Sequence, residues 1–525
     1  MEEILMSEIE NLFKRHLEQR NRPITFYGPS LIQEGSDILF LIRERRERKI
    51  VIVHPRSATE RLCKYFVSDE IGQLEVRGTI YQYCICPCSH DNASSLRELF
   101  PFTRPRPIGL APAIGTGDRI GLATPGHIRA LRRYRIAPVL AQQSVREMTR
   151  TARSPQEVMD DVLWAVFQEG YREGFGADAD HLKTPKDIED TYEAGFTMYT
   201  IDPSDYVDDT VDECSPRTVG ERFEKLPWDE LKSTKDEFLR MYLGREFEFS
   251  DGNRALKLEF SKEELLRAAI KYSFAIVHTA KLWSHLQRLF NGKPFDLEVS
   301  FDETEKQTSL LEHLLIASEL KRLNVQFHSL AIHLPGKFEK AIDYVGDPKE
   351  FESALRGHMI ICRNCGPYKL SIHSGSDKFS IYGIVGRLAP DLFHLKTAGT
   401  SYLEALRIVT MHDPTLLREI VRYAMRCYEK DRQTYRLSTE LRSIPNVDGV
   451  KDEDLEATYL KGDSGRQLLH VTFGSILTAR DENGGWLFRG RIGDTLLDNE
   501  EEFYQNTAKH FERHLSSLGV KPKTS

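Results

Sequence analysis

Three short stretches of this 525-residue chain hold the side chains best suited to chemistry. Residues 174–183 (GFGADADHLK) put Asp180 beside His181. An imidazole at a strand end is a candidate metal ligand, and the carboxylate next to it a candidate proton-transfer group. Residues 295–305 (FDLEVSFDETE) alternate so that Glu298, Ser300 and Asp302 share one face of a strand. A carboxylate deep in an apolar strand is costly unless paired or used, which singles out Glu298. Asp302, Glu303 and Glu305, at the start of a loop, read as solvated. Residues 368–378 (YKLSIHSGSDK) close a strand on His373. The Ser374-Gly375-Ser376 loop that follows offers backbone N–H groups to a phosphate or carboxylate, and Lys378 adds positive charge. Residues 393–401 (FHLKTAGTS) repeat the theme with Lys396 and a small-residue loop. His394, near the start of its strand, and His470 read as structural, while His333 is open to either reading.

Other motifs are weaker. Residues 115–121 (GTGDRIG) are one residue too long for G-x-G-x-x-G and precede a strand instead of following one, which argues against a dinucleotide loop. Cys84, Cys86 and Cys88 do not match Cys362 and Cys365 as a zinc pair, since only the latter have C-x2-C spacing. With no export signal, the 8 cysteines are expected as reduced thiols.

The elements that must position these residues follow from apolar patterning. An N-terminal helical stretch leads to four strand-like runs at 24–27, 38–42, 49–53 and 79–83, then to the Pro-rich stretch 100–107. From there strand, loop and helix alternate, which indicates a parallel sheet with crossover helices. Strand-like runs fall at 119–124, 137–144, 176–181, 196–202, 295–302, 325–333, 368–374, 393–399 and 468–474. Eight strands close a (β/α)8 barrel, so one of the nine, the first or the last, is expected outside it. Ser154 with Pro155, and Pro185 with Gly195, punctuate two of the helices. The expected fold is therefore α/β: a TIM-like barrel over 109–525, with a helical insertion at about 207–293 and a small α+β domain over 1–108. An insertion of that size suits a lid over the catalytic face. Residues 500–518 read as a closing helix.

Charge and hydropathy exclude some classes. Lys+Arg total 72 against 80 Asp+Glu, a net charge of −8, so the basic excess of a nucleic-acid binder is missing. No apolar run approaches the roughly 20 residues that span a bilayer, and the N-terminus lacks a signal-peptide pattern. A cytoplasmic protein with neither nucleic-acid nor membrane partners is expected, its oligomeric state left open.

From about residue 110 to the end the sequence resembles the tagaturonate/fructuronate epimerase family of hexuronate catabolism. The resemblance is carried by 117–127 (GDRIGLATPGH), 141–147 (AQQSVRE), 173–181 (EGFGADADH), 196–205 (FTMYTIDPSD), 372–380 (IHSGSDKFS) and 396–405 (KTAGTSYLEA). It implies a reversible interconversion of D-tagaturonate and D-fructuronate with a divalent metal ion (Mn, Co, Ni or Zn). It further implies Asp180 as proton acceptor, Glu298 as proton donor, and His181 and His373 as metal ligands, with the third ligand unplaced. Lys340 is a substrate-binding candidate by the same resemblance, and Ser374, Ser376 and Lys378 suit the substrate carboxylate. The Asp-His pair, the Glu and the His-Ser-Gly-Ser loop are similar to the metal-site layout of class II aldolases, which favours retro-aldol/aldol chemistry. A class II sugar-acid aldolase that releases its fragments, and a non-catalytic sugar-acid-binding protein, are the alternative readings.

Overall fold

The computed structural model describes residues 11–58, 61–252 and 254–523. Residues 11–18 are helical, and the first ten residues of the expected N-terminal helix lie outside the described residues. Five strands follow: β1 (Ile24–Glu34), β2 (Asp37–Glu44), β3 (Glu47–Pro55), β4 (Glu70–Val76) and β5 (Thr79–Pro87). They form one antiparallel sheet in the order β1-β2-β3-β5-β4. Four match the expected runs. The fifth, β4, is an edge strand whose Glu70, Gln73 and Glu75 break any apolar run, so its sequence carries no strand signal. One face of the sheet packs on Phe13 and Leu17. The other packs on the helix His90–Leu99 and on Leu163, Trp164 and Phe167 of the barrel helix Pro155–Gln168. Cys63 and Cys84 are joined as a disulfide, with Cα atoms 6.4 Å apart, which corrects the expectation of free thiols there. The other six cysteines are free.

The barrel is closed and parallel: β6 (Ala113–Gly115), β7 (Ala137–Ser144), β8 (Gly176–Leu182), β9 (Met198–Ile201), then β12 (Asp296–Phe301), β13 (Ser329–Ile332), β14 (Lys369–Ile372) and β15 (Phe393–Lys396). A hairpin, β10 (Glu246–Ser250) with β11 (Ala255–Glu259), lies in the segment between β9 and β12. Seven of the nine expected runs hold barrel strands; both the first and the last fall away. Residues 119–124 are not a strand, because the Asp118 carboxylate accepts from the backbone N–H groups of Ile120, Gly121, Ala123 and Thr124 and winds them into a turn. The first strand is the three-residue β6 just before it. Residues 468–474 belong to helices Asp463–Val471 and Phe473–Leu477, a case of a short apolar run that fits either element.

Both expected helix signals work as read. Ser154 forms a capping box with Glu157, and Gly195 ends Pro185–Ala194 at φ 91°. The long helix Lys262–Phe290 has two jobs. Leu265, Ala268 and Ile270 face the insertion's own core, while Tyr272, Ile276, Trp283 and Phe290 pack on the barrel. That insertion core also includes Leu314 and Leu315 of the outer helix Leu310–Arg322, so the insertion sits against the barrel's flank. After β15 a further helical core gathers Thr400–His412, Pro414–Asp431 and Arg489–Asp498. Glu500–Ser517 closes the chain as the expected helix. Among the described residues no helix is long and apolar enough to cross a membrane.

Candidate functional site

Inward-facing positions of a TIM barrel are usually branched and apolar. Here they are charged. The register aligns Glu298 of β12 with Ser329 of β13 and with Thr200 of β9, so all three project at one level. The Lys396 ammonium sits among three carboxylates: 2.8 Å from Asp178 Oδ2, 2.7 Å from Asp180 Oδ1 and 2.7 Å from Glu298 Oε1. It also donates to Thr200 Oγ1 at 2.8 Å. Burial opposes its charge, but the three acids outweigh burial and hold its pKa well above the usual lysine range. One cation cannot satisfy three anions equally. Burial pushes Asp178 up to about 6, with Asp180 and Glu298 adding to the push against Lys396. Burial acts the same way on Asp180 and Glu298, yet His181 and Lys396 at the first, and Lys396 with His373 and His394 at the second, keep both well below the carboxylate range.

Above this layer, at the strand ends, two imidazoles meet. His181 Nδ1 lies 2.8 Å from Asp180 Oδ1, and His373 Nε2 lies 2.7 Å from Glu298 Oε1. Their ring centres are 5.0 Å apart. Asp302 stands 3.3 Å from His373 Nδ1, its carboxylate fixed by the Ser300 hydroxyl. His181, Asp302 and His373 bring one ligand atom each within 4.8 Å of one another. His181 adopts φ 56°, where a non-glycine residue is uncommon, and strain of that kind concentrates at functional sites. Burial disfavours charge on His373, but Asp302 and Glu298 prevail and raise it to about 10; Asp180 likewise raises His181 against its burial.

The cluster opens into a cavity of about 80 Å³ that adjoins a larger one of about 710 Å³. Arg146, Asp302, Glu303, Lys340, His373, Ser374 and Tyr435 line both. The segment 434–438 forms one wall of the larger cavity. Arg150 holds it by bonds to Thr434 Oγ1 (2.8 Å) and the Tyr435 hydroxyl (2.7 Å), and Ser438 donates its N–H (2.7 Å) and hydroxyl (2.8 Å) to Glu339 Oε2. No described residue of 207–293 lines either cavity, whereas the segment after Pro414–Asp431 supplies part of the wall.

The expected site residues divide. Asp180, His181, His373, Lys340, Ser374 and Ser376 line the smaller cavity. Glu298 is fully buried one layer beneath, held by His373, Lys396, His394 (3.2 Å) and the Ser329 hydroxyl (2.7 Å). Lys378 lines neither cavity. Its ammonium donates to the carbonyls of Glu339 (2.9 Å), Ile342 (2.6 Å) and Ser376 (3.0 Å), and burial lowers it to about 7. The Ser-Gly-Ser loop is also committed: Gly375 N donates to the Lys396 carbonyl and Asp377 N to His514 Nε2. These bonds turn Lys378 and the Gly375 and Asp377 N–H groups toward protein acceptors, while Ser374 and Ser376 stay on the wall of the smaller cavity. His394, expected to be structural, reaches the carboxylate layer through Glu298. His333 lines the larger cavity with Nδ1 2.9 Å from the Thr304 carbonyl. Asp302 and Lys396 are the site residues that the sequence reading undervalued. Period-two alternation from Glu298 already carried the signal for Asp302.

A closed parallel barrel with acids, imidazoles and a lysine gathered at the C-terminal ends of its strands defines a TIM-barrel enzyme. A family model described as UxaE, tagaturonate epimerase, matches residues 27–518. The tagaturonate/fructuronate epimerase of Thermotoga maritima is 41% identical over 507 residues, covering 97% of this chain and 99% of that protein. Two crystal structures of the fructuronate-tagaturonate epimerase UxaE from Cohnella laeviribosi are similar, both 36% identical with TM-score 0.87. The glycerol complex covers 98% of this chain and 100% of that one, the native structure 97% and 99%. The chain belongs to the tagaturonate epimerase family, a family of isomerases. The match also reaches back into the N-terminal sheet, further than the resemblance from residue 110 onward.

Proposed function

We propose that the chain interconverts D-tagaturonate and D-fructuronate by retro-aldol/aldol chemistry, with a divalent metal ion held by His181, Asp302 and His373. The convergence of those three ligand atoms within 4.8 Å, on the wall of a cavity, is the observation that carries this reading. The residues fit such an ion. His373 Nδ1 is buried without a hydrogen-bond partner, although Asp302 is close. Each imidazole is anchored through its other nitrogen by a carboxylate, as metal-binding histidines commonly are. Two nitrogens and one oxygen suit Mn, Co, Ni or Zn. When bound, the ion supplies Lewis-acid polarisation of the substrate's ketone.

The two hexuronates differ at a hydroxyl-bearing carbon β to the ketone. Its C–H is not acidic, because the carbanion would not be conjugated with the carbonyl. In the proposed route the bond between that carbon and the α-carbon breaks, and its electron pair passes toward the ketone oxygen. The hydroxyl proton moves to Asp180, which lines the cavity. The aldehyde turns, the bond re-forms on its other face, and the proton returns. Glu298 is the proposed second proton-transfer group. It acts from below through Lys396, whose ammonium touches Glu298 Oε1 and Asp180 Oδ1 at 2.7 Å each.

The test is turnover of D-tagaturonate followed by NMR, on chelated protein with and without added Mn2+. Fructuronate should form only with metal. Full activity after exhaustive chelation would remove the metal from the account, and accumulation of three-carbon fragments would replace the epimerase with an aldolase. His181→Ala, Asp302→Ala and His373→Ala should each abolish Mn2+ binding by calorimetry.

A further inference from the structure

We propose that Arg146 and Lys340 form the seat of the sugar-acid carboxylate, and that Arg146 separates hexuronates from neutral ketohexoses. This rests on the functional reading above and deepens it.

Arg146 stands just after β7, in the helix Val145–Thr151, and lines both cavities. Three neighbouring arginines are neutralised or tied down. Arg119 pairs with Glu147, Arg153 with Asp161, and Arg150 is bound to the 434–438 segment. Arg146 has no carboxylate partner among the described residues. Its guanidinium instead lies over the Tyr435 ring, 5.4 Å from the centre. A cation–π contact of this kind commits none of the guanidinium N–H donors to a carboxylate.

Lys340 faces the same space. Its ammonium donates to one neutral oxygen, Ser374 Oγ, at 2.6 Å. Burial and then the Arg146 charge push it toward its neutral form. Two cations held against each other in a partly closed cavity repel unless an anion joins them. Of the nearby acids, Glu339 is engaged by Ser438 and Gln467 and Asp302 by Ser300 and His373, while Glu303, on the wall of both cavities, forms no ion pair with either cation among the described residues. Lys378 and the Gly375 and Asp377 N–H groups, the alternatives on the same rim, are committed to protein acceptors. The unmatched positive charge at Arg146 and Lys340, next to the imidazole cluster, suits an incoming carboxylate, and a forked guanidinium matches its geometry. Tyr435, fixed by Arg150, holds Arg146 in place for it.

The experiment compares wild type, Arg146→Gln and Arg146→Lys in the presence of Mn2+. Calorimetry gives affinity for D-tagaturonate and for the neutral D-tagatose, and steady-state turnover gives KM and kcat. Loss of a charge-assisted contact should weaken tagaturonate binding and raise its KM by about 10- to 100-fold with kcat little changed. Arg146→Lys should recover part of that loss. Tagatose binding should not fall, so the preference for the acid over the neutral sugar shrinks. Equal losses for both sugars, or no loss for either, would overturn the proposal. Tight tagaturonate binding that depends on Arg146 without any epimerisation would leave this seat standing and refute the functional reading instead.

Discussion

Replacing Lys396 by Met tests the charged barrel interior. The substitution keeps much of the volume and removes the single cation that bridges Asp178, Asp180 and Glu298. All three are buried, and Asp178 already sits at about 6 with the lysine present. Without it the carboxylates cannot all remain ionised, so at least one takes a proton in the folded state. A carboxyl group that ionises near pH 4 when unfolded but is held protonated in the fold costs about 1.36 kcal/mol per pH unit above that value. Asp178 carries part of this penalty already in the wild type, so the full figure applies to Asp180 or Glu298, which the lysine keeps ionised: about 4 kcal/mol at pH 7, in line with the roughly 3–5 kcal/mol lost when a buried pair is broken. The sign follows from a raised folded pKa: the penalty grows as pH rises above about 4 and has fallen to about 1.4 kcal/mol at pH 5. Equilibrium urea unfolding of wild type and Lys396→Met at the two pH values reads it directly. An equal deficit at pH 5 and pH 7 would mean lost packing, not lost charge compensation, and would refute the reasoning.

Two more expectations concern groups outside the reacting centre. His313 and His358 share a buried contact, Nδ1 to Nδ1 at 3.0 Å, and burial holds His358 down to about 3 and His313 well below its usual value. Both are neutral in the fold and protonate on unfolding, so stability is complete above about pH 6.5 and is lost as pH falls below it, by about 2 kcal/mol per histidine at pH 5. In urea unfolding, His358→Gln should be spared about 2 kcal/mol of that fall; an unchanged pH dependence would contradict it. Lys378→Met should cost about 1–3 kcal/mol of stability by stranding buried carbonyls while leaving the KM for hexuronate unchanged; a raised KM in a stably folded variant would return Lys378 to the binding site.

Much of this architecture is legible in sequence because its signals are local. Seven barrel strands show as apolar runs, and Ser154 and Gly195 mark helix ends through capping chemistry that any sequence displays. What stays hidden depends on tertiary partners. The strand β6 is too short to produce a pattern, and the turn that replaces the expected strand at 119–124 exists because one carboxylate, Asp118, gathers four backbone N–H groups. The run 468–474 has the same composition as a buried strand and becomes a helix through the core it joins. At the site, Asp180, His181 and His373 stand out by type and position. Asp302 looks like a solvated loop acid until His373 arrives from β14, and Lys396 looks like one more strand-end lysine until β8 and β12 supply its three acids. Lys378 errs in the opposite direction: its charge suggests a ligand, and only the fold reveals three carbonyls around it.

The central claim is that inversion proceeds by breaking a carbon–carbon bond and leaves the C–H bond at the inverted carbon untouched. Tagaturonate carrying deuterium at that carbon tests it in one experiment, with rate and isotope position followed by NMR. The account predicts fructuronate that retains the deuterium, formed with no primary isotope effect on the rate. Loss of the label to solvent, or a large primary isotope effect, would contradict it.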